Sequence, residues 1–175
     1  MAAAFIPRRI INRGRQCYPA APEQVFPLLC PVREYDWLEG WKCRVIWSDS
    51  GVAEENCIFS TEFADVGGAE IWTVSRYRPP REIEFVRFGR QELLIHLSIR
   101  LTPGADESTC ADWTRVCTGL TPEGNALLAN LTDAVYEGEM RMLERTLTHY
   151  LTTGRMLTGL TGDYRRHRHD HADHQ

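Results

Sequence analysis

From Trp41 to Thr118 the chain alternates apolar and polar residues in short runs separated only by turn signals. A parallel strand pair needs a crossover of about a dozen residues or more, and no such segment lies between these runs. They must therefore pair antiparallel, each with the next. The clearest run is Glu92–Leu101, with Leu93, Ile95, Leu97, Ile99 and Leu101 on one face and Leu94, His96, Ser98 and Arg100 on the other. The same period puts Trp41, Cys43, Val45 and Trp47 together, and likewise Cys57, Phe59, Thr61 and Phe63. Glu70–Tyr77, Glu82–Phe88 and Ser108–Thr118 complete the run. Asp49-Ser50-Gly51, Val66-Gly67-Gly68, Pro79-Pro80 and Pro103-Gly104-Ala105-Asp106 supply the turns. Arg9–Tyr18 reads as one further strand, which makes seven.

Helical signals flank this run. Pro22 opens a short helix through Val25, Phe26, Leu28 and Leu29, where a proline in the first turn costs no hydrogen bond. Pro31 ends it, and a second short turn is expected from Val32 to Leu38, stopped by Gly40. After the last strand, Thr121-Pro122-Glu123-Gly124 opens a helix expected to run unbroken to Thr153, capped by Gly154. At ~1.5 Å per residue it would span about 45 Å. The fold class is α+β: a curved antiparallel sheet wrapped around a long C-terminal helix, with two short helices after the first strand. Residues 1–155 are expected to form one domain. Residues 156–175 end in a His-rich run, Arg165 to His174, expected to be a disordered tail.

Composition narrows the function. A net charge of −4 lacks the basic footprint of a nucleic-acid binder. No apolar run reaches the ~18 residues of a bilayer span, and Arg8 and Arg9 follow the first apolar run where a secretory leader would carry its charges before it. Stable membrane insertion is not expected, and a cytoplasmic location is. The six cysteines include no C-x-x-C pair, so they read as small buried side chains and not as a metal site; no cofactor is called for.

On a wheel at ~100° per residue, Asn130, Asp133, Glu137, Arg141, Glu144 and Thr148 form the wet face of the last helix. Leu128, Leu131, Val135 and Met142 flank one side of the buried arc; Tyr136, Met140, Leu143 and Leu147 flank the other. Glu139 falls in that arc beside Gly138. A buried carboxylate is costly unless paired, and Gly138 costs ~1 kcal/mol against alanine in mid-helix. Two readings of Glu139 stay open: it faces a cavity, or it reaches water at the edge of the sheet. Arg115 shares the face of Trp113 on the last strand and is its candidate partner. Arg76, on the expected face of Trp72 and Val74, is the other. The rings of Phe59, Trp72 and Trp113, with Thr61, Val135, Tyr136 and Met142, would line a site for an apolar small molecule.

Local wording points the same way. Ala20-Ala21-Pro22-Glu23-Gln24-Val25-Phe26, Asp36-Trp37-Leu38-Glu39-Gly40-Trp41, Trp72-Thr73-Val74-Ser75-Arg76-Tyr77, Leu120-Thr121-Pro122-Glu123-Gly124-Asn125 and His149-Tyr150-Leu151 resemble segments of the START-like, or SRPBCC, superfamily. The resemblance covers residues 9 to 154. It implies the Bet v 1-like helix-grip fold and a hydrophobic ligand: lipid, sterol, polyketide or aromatic compound. It also implies alternatives, a polyketide cyclase or dehydratase with Glu139 as general acid or base, or an interaction module of the Hsp90 co-chaperone type. It supplies no catalytic motif, and no iron-ligand set of the Rieske oxygenase branch is seen.

Overall fold

The computed structural model describes residues 4–63, 68–89 and 92–160. Seven strands form one antiparallel sheet: β1 (Arg9–Tyr18), β2 (Cys43–Trp47), β3 (Ile58–Phe63), β4 (Gly68–Arg78), β5 (Glu82–Gly89), β6 (Leu93–Pro103) and β7 (Thr109–Gly119). Their order is β1-β7-β6-β5-β4-β3-β2, so consecutive strands are neighbours except that β1 closes on β7. β1 and β2 are the edges. Between them in sequence lie α1 (Pro22–Val25) and two 3-10 turns, Phe26–Leu29 and Glu34–Asp36. After β7 come α2 (Pro122–Leu127), a 3-10 turn (Leu128–Asn130) and α3 (Asp133–Thr153). The sheet curves around α3, as the alternation and the terminal amphipathic segment required.

The C-terminal helix is not continuous. It breaks at Leu131 and Thr132, which leave helical geometry, and α3 is 21 residues, about 32 Å. The cause is capping: the Thr132 hydroxyl accepts from the Val135 amide, and Asp133 sits in the first turn, where a carboxylate favours the helix dipole. Gly154 ends α3 in the left-handed region at φ 66°, its amide donating to the Tyr150 carbonyl. Beyond it the chain folds back, and the amides of Gly159 and Leu160 donate to Glu39 Oε2.

α3 lies along β1, the edge strand, which it approaches more closely than any other strand. Gly14 makes this possible. A Cβ there would sit 2.9 Å from Met140 Cγ and 3.4 Å from the Tyr136 ring. Gln16 Nε2 donates to the Met140 carbonyl at 2.7 Å, and Glu144 Oε1 takes the free Cys17 amide of the edge at 2.6 Å. Tyr136, Met140 and Leu147 are the apolar side chains of α3 buried against the sheet, so its core stripe follows the i, i+4, i+11 positions on one flank of the expected arc. Tyr18, Val25, Phe26, Leu29, Trp37, Val74, Ile83, Ile99 and Leu101 build the rest of the core between sheet, α3 and the short helices.

Other expectations need correction. The register of β2 shifts between Val45 and Trp47, turning Trp47 outward, where it is 64 % exposed. Nothing lies within 4 Å of a Cβ placed on Gly138, so that glycine marks open space. Cys17 is exposed, with its Sγ 3.9 Å from the Sγ of Cys110 across the β1–β7 pair. The expected Val66-Gly67 turn and residues 161–175 of the expected tail lie outside the described residues.

Candidate functional site

The concave face can be read strand by strand from the register. β7 alternates without a fault: Thr109, Ala111, Trp113, Arg115 and Cys117 are all buried. Arg115 pairs with Asn12 on β1 and Leu97 on β6; Leu97 pairs with Phe85 and Phe85 with Val74. One row further along, Cys117, Ile95, Arg87, Trp72 and Phe59 follow one another across the sheet. Two arginines therefore point into the grip.

Arg115 is 8 % exposed, and its Nη1 donates to Glu139 Oε2 at 2.8 Å. Its Nε and Nη2 both donate to Asn12 Oδ1, at 3.1 and 3.0 Å. The Asn12 amide in turn donates to Asp133 Oδ1 at 2.8 Å. That chain fixes every rotamer. Asp133 at the head of α3 orients Asn12, Asn12 orients the guanidinium, and the guanidinium holds Glu139. The guanidinium also lies over the Tyr136 ring, 4.3 Å from its centroid, a cation–π contact in a dry setting. Asn12 escaped the sequence reading, although its alternation with Gly14, Gln16 and Tyr18 put it on the buried face of β1.

Burial leaves some polar atoms without partners. The Tyr136 hydroxyl and Trp113 Nε1 are buried and have no hydrogen-bond partner among the described residues. Burial pushes the Tyr136 hydroxyl up to about 12, the Arg115 charge pulling the other way, so it stays a protonated donor across the neutral range. A buried donor without an acceptor costs free energy.

The other expected lining residues divide. Phe59 stacks on Trp72 at 5.4 Å, and both meet Phe85 edge-on at 6.1 and 5.9 Å. Trp72 Nε1 donates to Thr61 Oγ1 at 2.9 Å, with Thr61 fully buried. These rings pack against one another as core under the site. Val135 and Met142 sit on the Glu139 side of α3 and keep part of their surface accessible, as do Leu97 and Arg87 on the sheet opposite. Arg76 is misplaced by the sequence reading. A bulge between Val74 and Arg76 flips the alternation, and Arg76, 41 % exposed, bonds Glu84 at 3.2 Å and lies near Glu82 at 3.7 Å on the convex face.

Two open grooves lie outside the grip. One of about 550 Å³ runs along α3, lined by Cys17, Arg141, Glu144, Arg145, His149 and Leu157 among others. The other, of about 310 Å³, lies between Ile11 and Arg13 of β1 and Asp133 and Glu137 of α3. Neither holds any of the expected site residues. Among the described residues no three His, Cys, Asp or Glu side chains converge as metal ligands would, and no helix is long and apolar enough to cross a membrane.

The unbroken antiparallel succession of strands, the paired short turns after β1 and the helix laid against the concave face define an α+β helix-grip fold. No protein-family model and no curated protein sequence matches the chain. Solved structures do. Mll3558 of Rhizobium loti is 18 % identical with a TM-score of 0.60, covering 83 % of this chain and 99 % of its own. CalU16 of Micromonospora echinospora is 15 % identical with a TM-score of 0.53, covering 85 % and 90 %. Norcoclaurine synthase of Thalictrum flavum, solved in complex with dopamine and hydroxybenzaldehyde, is 12 % identical with a TM-score of 0.63, covering 83 % and 88 %. At these identities the likeness is one of fold.

Proposed function

We propose that this protein binds a small, mostly apolar molecule between the concave face of the sheet and α3, and orients one polar group of it at Arg115 and Glu139. The observation that carries this reading is the buried polar cluster itself. A domain needing only a core would have no use for an arginine, a glutamate, a tyrosine hydroxyl and an indole N–H on its inner face, the last two without a hydrogen-bond partner among the described residues. Mostly apolar sites with a few placed polar groups are what small-molecule pockets look like. Trp113 and the Arg115–Tyr136 stack offer flat surfaces, which favour an aromatic or polyene guest over a flexible chain. Norcoclaurine synthase, with its aromatic ligands, supports the same choice through the shared fold.

Binding is the reading preferred over catalysis. Glu139 Oε2 is engaged by a guanidinium that Asn12 and Asp133 hold in place, an arrangement suited to positioning a ligand. Two measurements test it. A native mass spectrum of the purified protein should show a co-purifying compound or take up an added aromatic probe such as 2-hydroxyanthraquinone. Glu139→Gln should weaken that uptake roughly tenfold, the worth of about one charge-assisted hydrogen bond. Saturating uptake unaffected by Glu139→Gln would place the guest elsewhere, and no uptake of any flat aromatic would reject the reading.

A further inference from the structure

Cys17 on β1 and Cys110 on β7 stand directly opposite each other in the register, with their Sγ atoms 3.9 Å apart. In an antiparallel ladder, pairs that exchange backbone hydrogen bonds alternate with pairs that do not. The Gly119 amide donates to the Arg8 carbonyl, which makes that pair a bonded one. Cys17 lies an odd number of residues further along β1, so Cys17–Cys110 is an unbonded pair. The Cys17 amide agrees, since it donates away from β7 to Glu144 Oε1. Unbonded pairs hold their Cα atoms about 4.5 Å apart, inside the range that a disulfide accepts. Rotation about the two Cα–Cβ bonds therefore brings the sulfurs together with the strands in place. Arg15–Asp112, the next unbonded pair, ties the same two strands with an ion pair at 2.7 Å.

The pair is also within reach of a reagent. Of the six cysteines Cys17 alone is exposed, and Cys110 is half-buried beside it, on the side of the sheet away from Arg115. Cys30, Cys57 and Cys117 are buried, and the Cys43 thiol donates to the Pro31 carbonyl. Cys17 forms part of the wall of the groove of about 550 Å³ along α3, where Arg141 and Arg145 supply positive charge. Glu144 in the same wall is engaged by the Cys17 amide, and Arg141 lies 3.6 Å from Glu137. A groove that presents guanidinium groups next to a thiol favours an anionic small molecule with its reactive atom at Cys17 Sγ.

We propose that Cys17 and Cys110 form a reversible dithiol–disulfide site that staples the edge strand β1 to β7, oxidised by an anionic low-molecular-weight disulfide of the glutathione type that enters by the α3 groove. The Cys17 thiolate attacks one sulfur of that reagent. A mixed disulfide forms, and the first small thiolate leaves and takes up a proton. The Cys110 thiolate then attacks Cys17 Sγ, closes the protein disulfide and expels the second small thiol. The two cysteines give up two electrons and two protons, and the disulfide bond of the reagent becomes two thiols. The hydrogen bond to Cys110, burial and the Glu144 carboxylate push the Cys17 thiol up, so the first attack is slow near neutral pH. β1 carries Asn12, Gly14 and Gln16, which hold Arg115 and α3. The staple thus fastens the strand on which the grip closes.

Oxidised glutathione added to the native protein at about pH 8.5, followed by intact mass and peptide mapping, tests it. The wild-type chain should lose about 2 Da, with the new bridge mapped to Cys17–Cys110, and dithiothreitol should reverse the change. The melting midpoint of the oxidised form should rise by about 4–16 °C. Cys110→Ser should stop at the mixed disulfide on Cys17. Cystamine, a cationic disulfide, should react about tenfold more slowly than oxidised glutathione once each rate is scaled to that with free cysteine. Arg141→Gln/Arg145→Gln should remove that preference. In the wild type, which needs no variant to fold, a mixed disulfide that persists at Cys17, a bridge between other cysteines or no reaction would overturn the dithiol site. An unchanged midpoint would overturn the staple, and equal scaled rates for the two reagents would overturn the anionic oxidant.

Discussion

Arg115→Met is the most informative single change. The side chains of Arg115 and Glu139 are only 9 % and 12 % exposed, so solvent screening is slight. Methionine keeps most of the volume but takes the guanidinium from the Glu139 carboxylate and removes both donors from Asn12 Oδ1. Removing one partner of a buried pair costs about 3–5 kcal/mol. For a domain of this size each kcal/mol moves the melting midpoint by about 2–4 °C, so a fall of about 6–20 °C is expected. The double variant Arg115→Met/Glu139→Gln removes both charges of the pair, and its loss should be at least about 1 kcal/mol smaller than the two single losses together. Urea unfolding of the four proteins measures this coupling. A cost below about 1 kcal/mol for Arg115→Met, or additive losses, would show that the pair is water-exposed in solution and would refute the buried network.

Three further outcomes follow from the same geometry. Gly138→Ala should stabilise the protein by roughly 1 kcal/mol in thermal or urea unfolding, because the site is open and alanine is the better helix former. Thr132→Ala removes the cap of α3 and should cost about 1 kcal/mol by urea unfolding. Tyr136→Phe should leave stability at pH 7 almost unchanged, since its hydroxyl has no hydrogen-bond partner among the described residues. Its signature is alkaline. Burial raises the folded hydroxyl to about 12 against an ordinary value near 10, so the folded state holds that proton more tightly. That contribution is full below about pH 10 and is lost as pH rises toward 12. The buried Tyr18 hydroxyl, also raised by burial, adds to the loss. Urea midpoints from pH 9 to 12 should fall less steeply in Tyr136→Phe than in the wild type.

The sheet was legible because its signal is local and repeated. β1 spans Arg9–Tyr18 as the alternation requires, and the period of two on β7, with the wheel of the last helix, was enough to suggest Arg115 against Glu139. What escaped depends on single-residue events that a period averages away. One bulge after Val74 sends Arg76 outward, and one shift after Val45 does the same to Trp47. Thr132 caps a new helix inside what reads as a continuous one, although the Thr-Asp pair was there to be seen. Asn12 and Arg87 were passed over because polar residues on strands read as solvent-facing. The alternation of Arg87 with Ile83 and Phe85 was the signal that they are not.

The five tryptophans supply the most direct test. The indole N–H of Trp37 donates to the Leu28 carbonyl, that of Trp41 to the Pro31 carbonyl and that of Trp72 to Thr61, while Trp47 faces solvent from the convex side. Only the Trp113 indole both lines the grip and lacks a partner among the described residues. In a ¹H–¹⁵N spectrum titrated with 2-hydroxyanthraquinone, the Trp113 indole resonance should move farthest and the Trp47 resonance should stay put. A shift confined to Trp47, with Trp113 unmoved at saturation, would put the ligand on the outside of the sheet and contradict a guest held beneath α3.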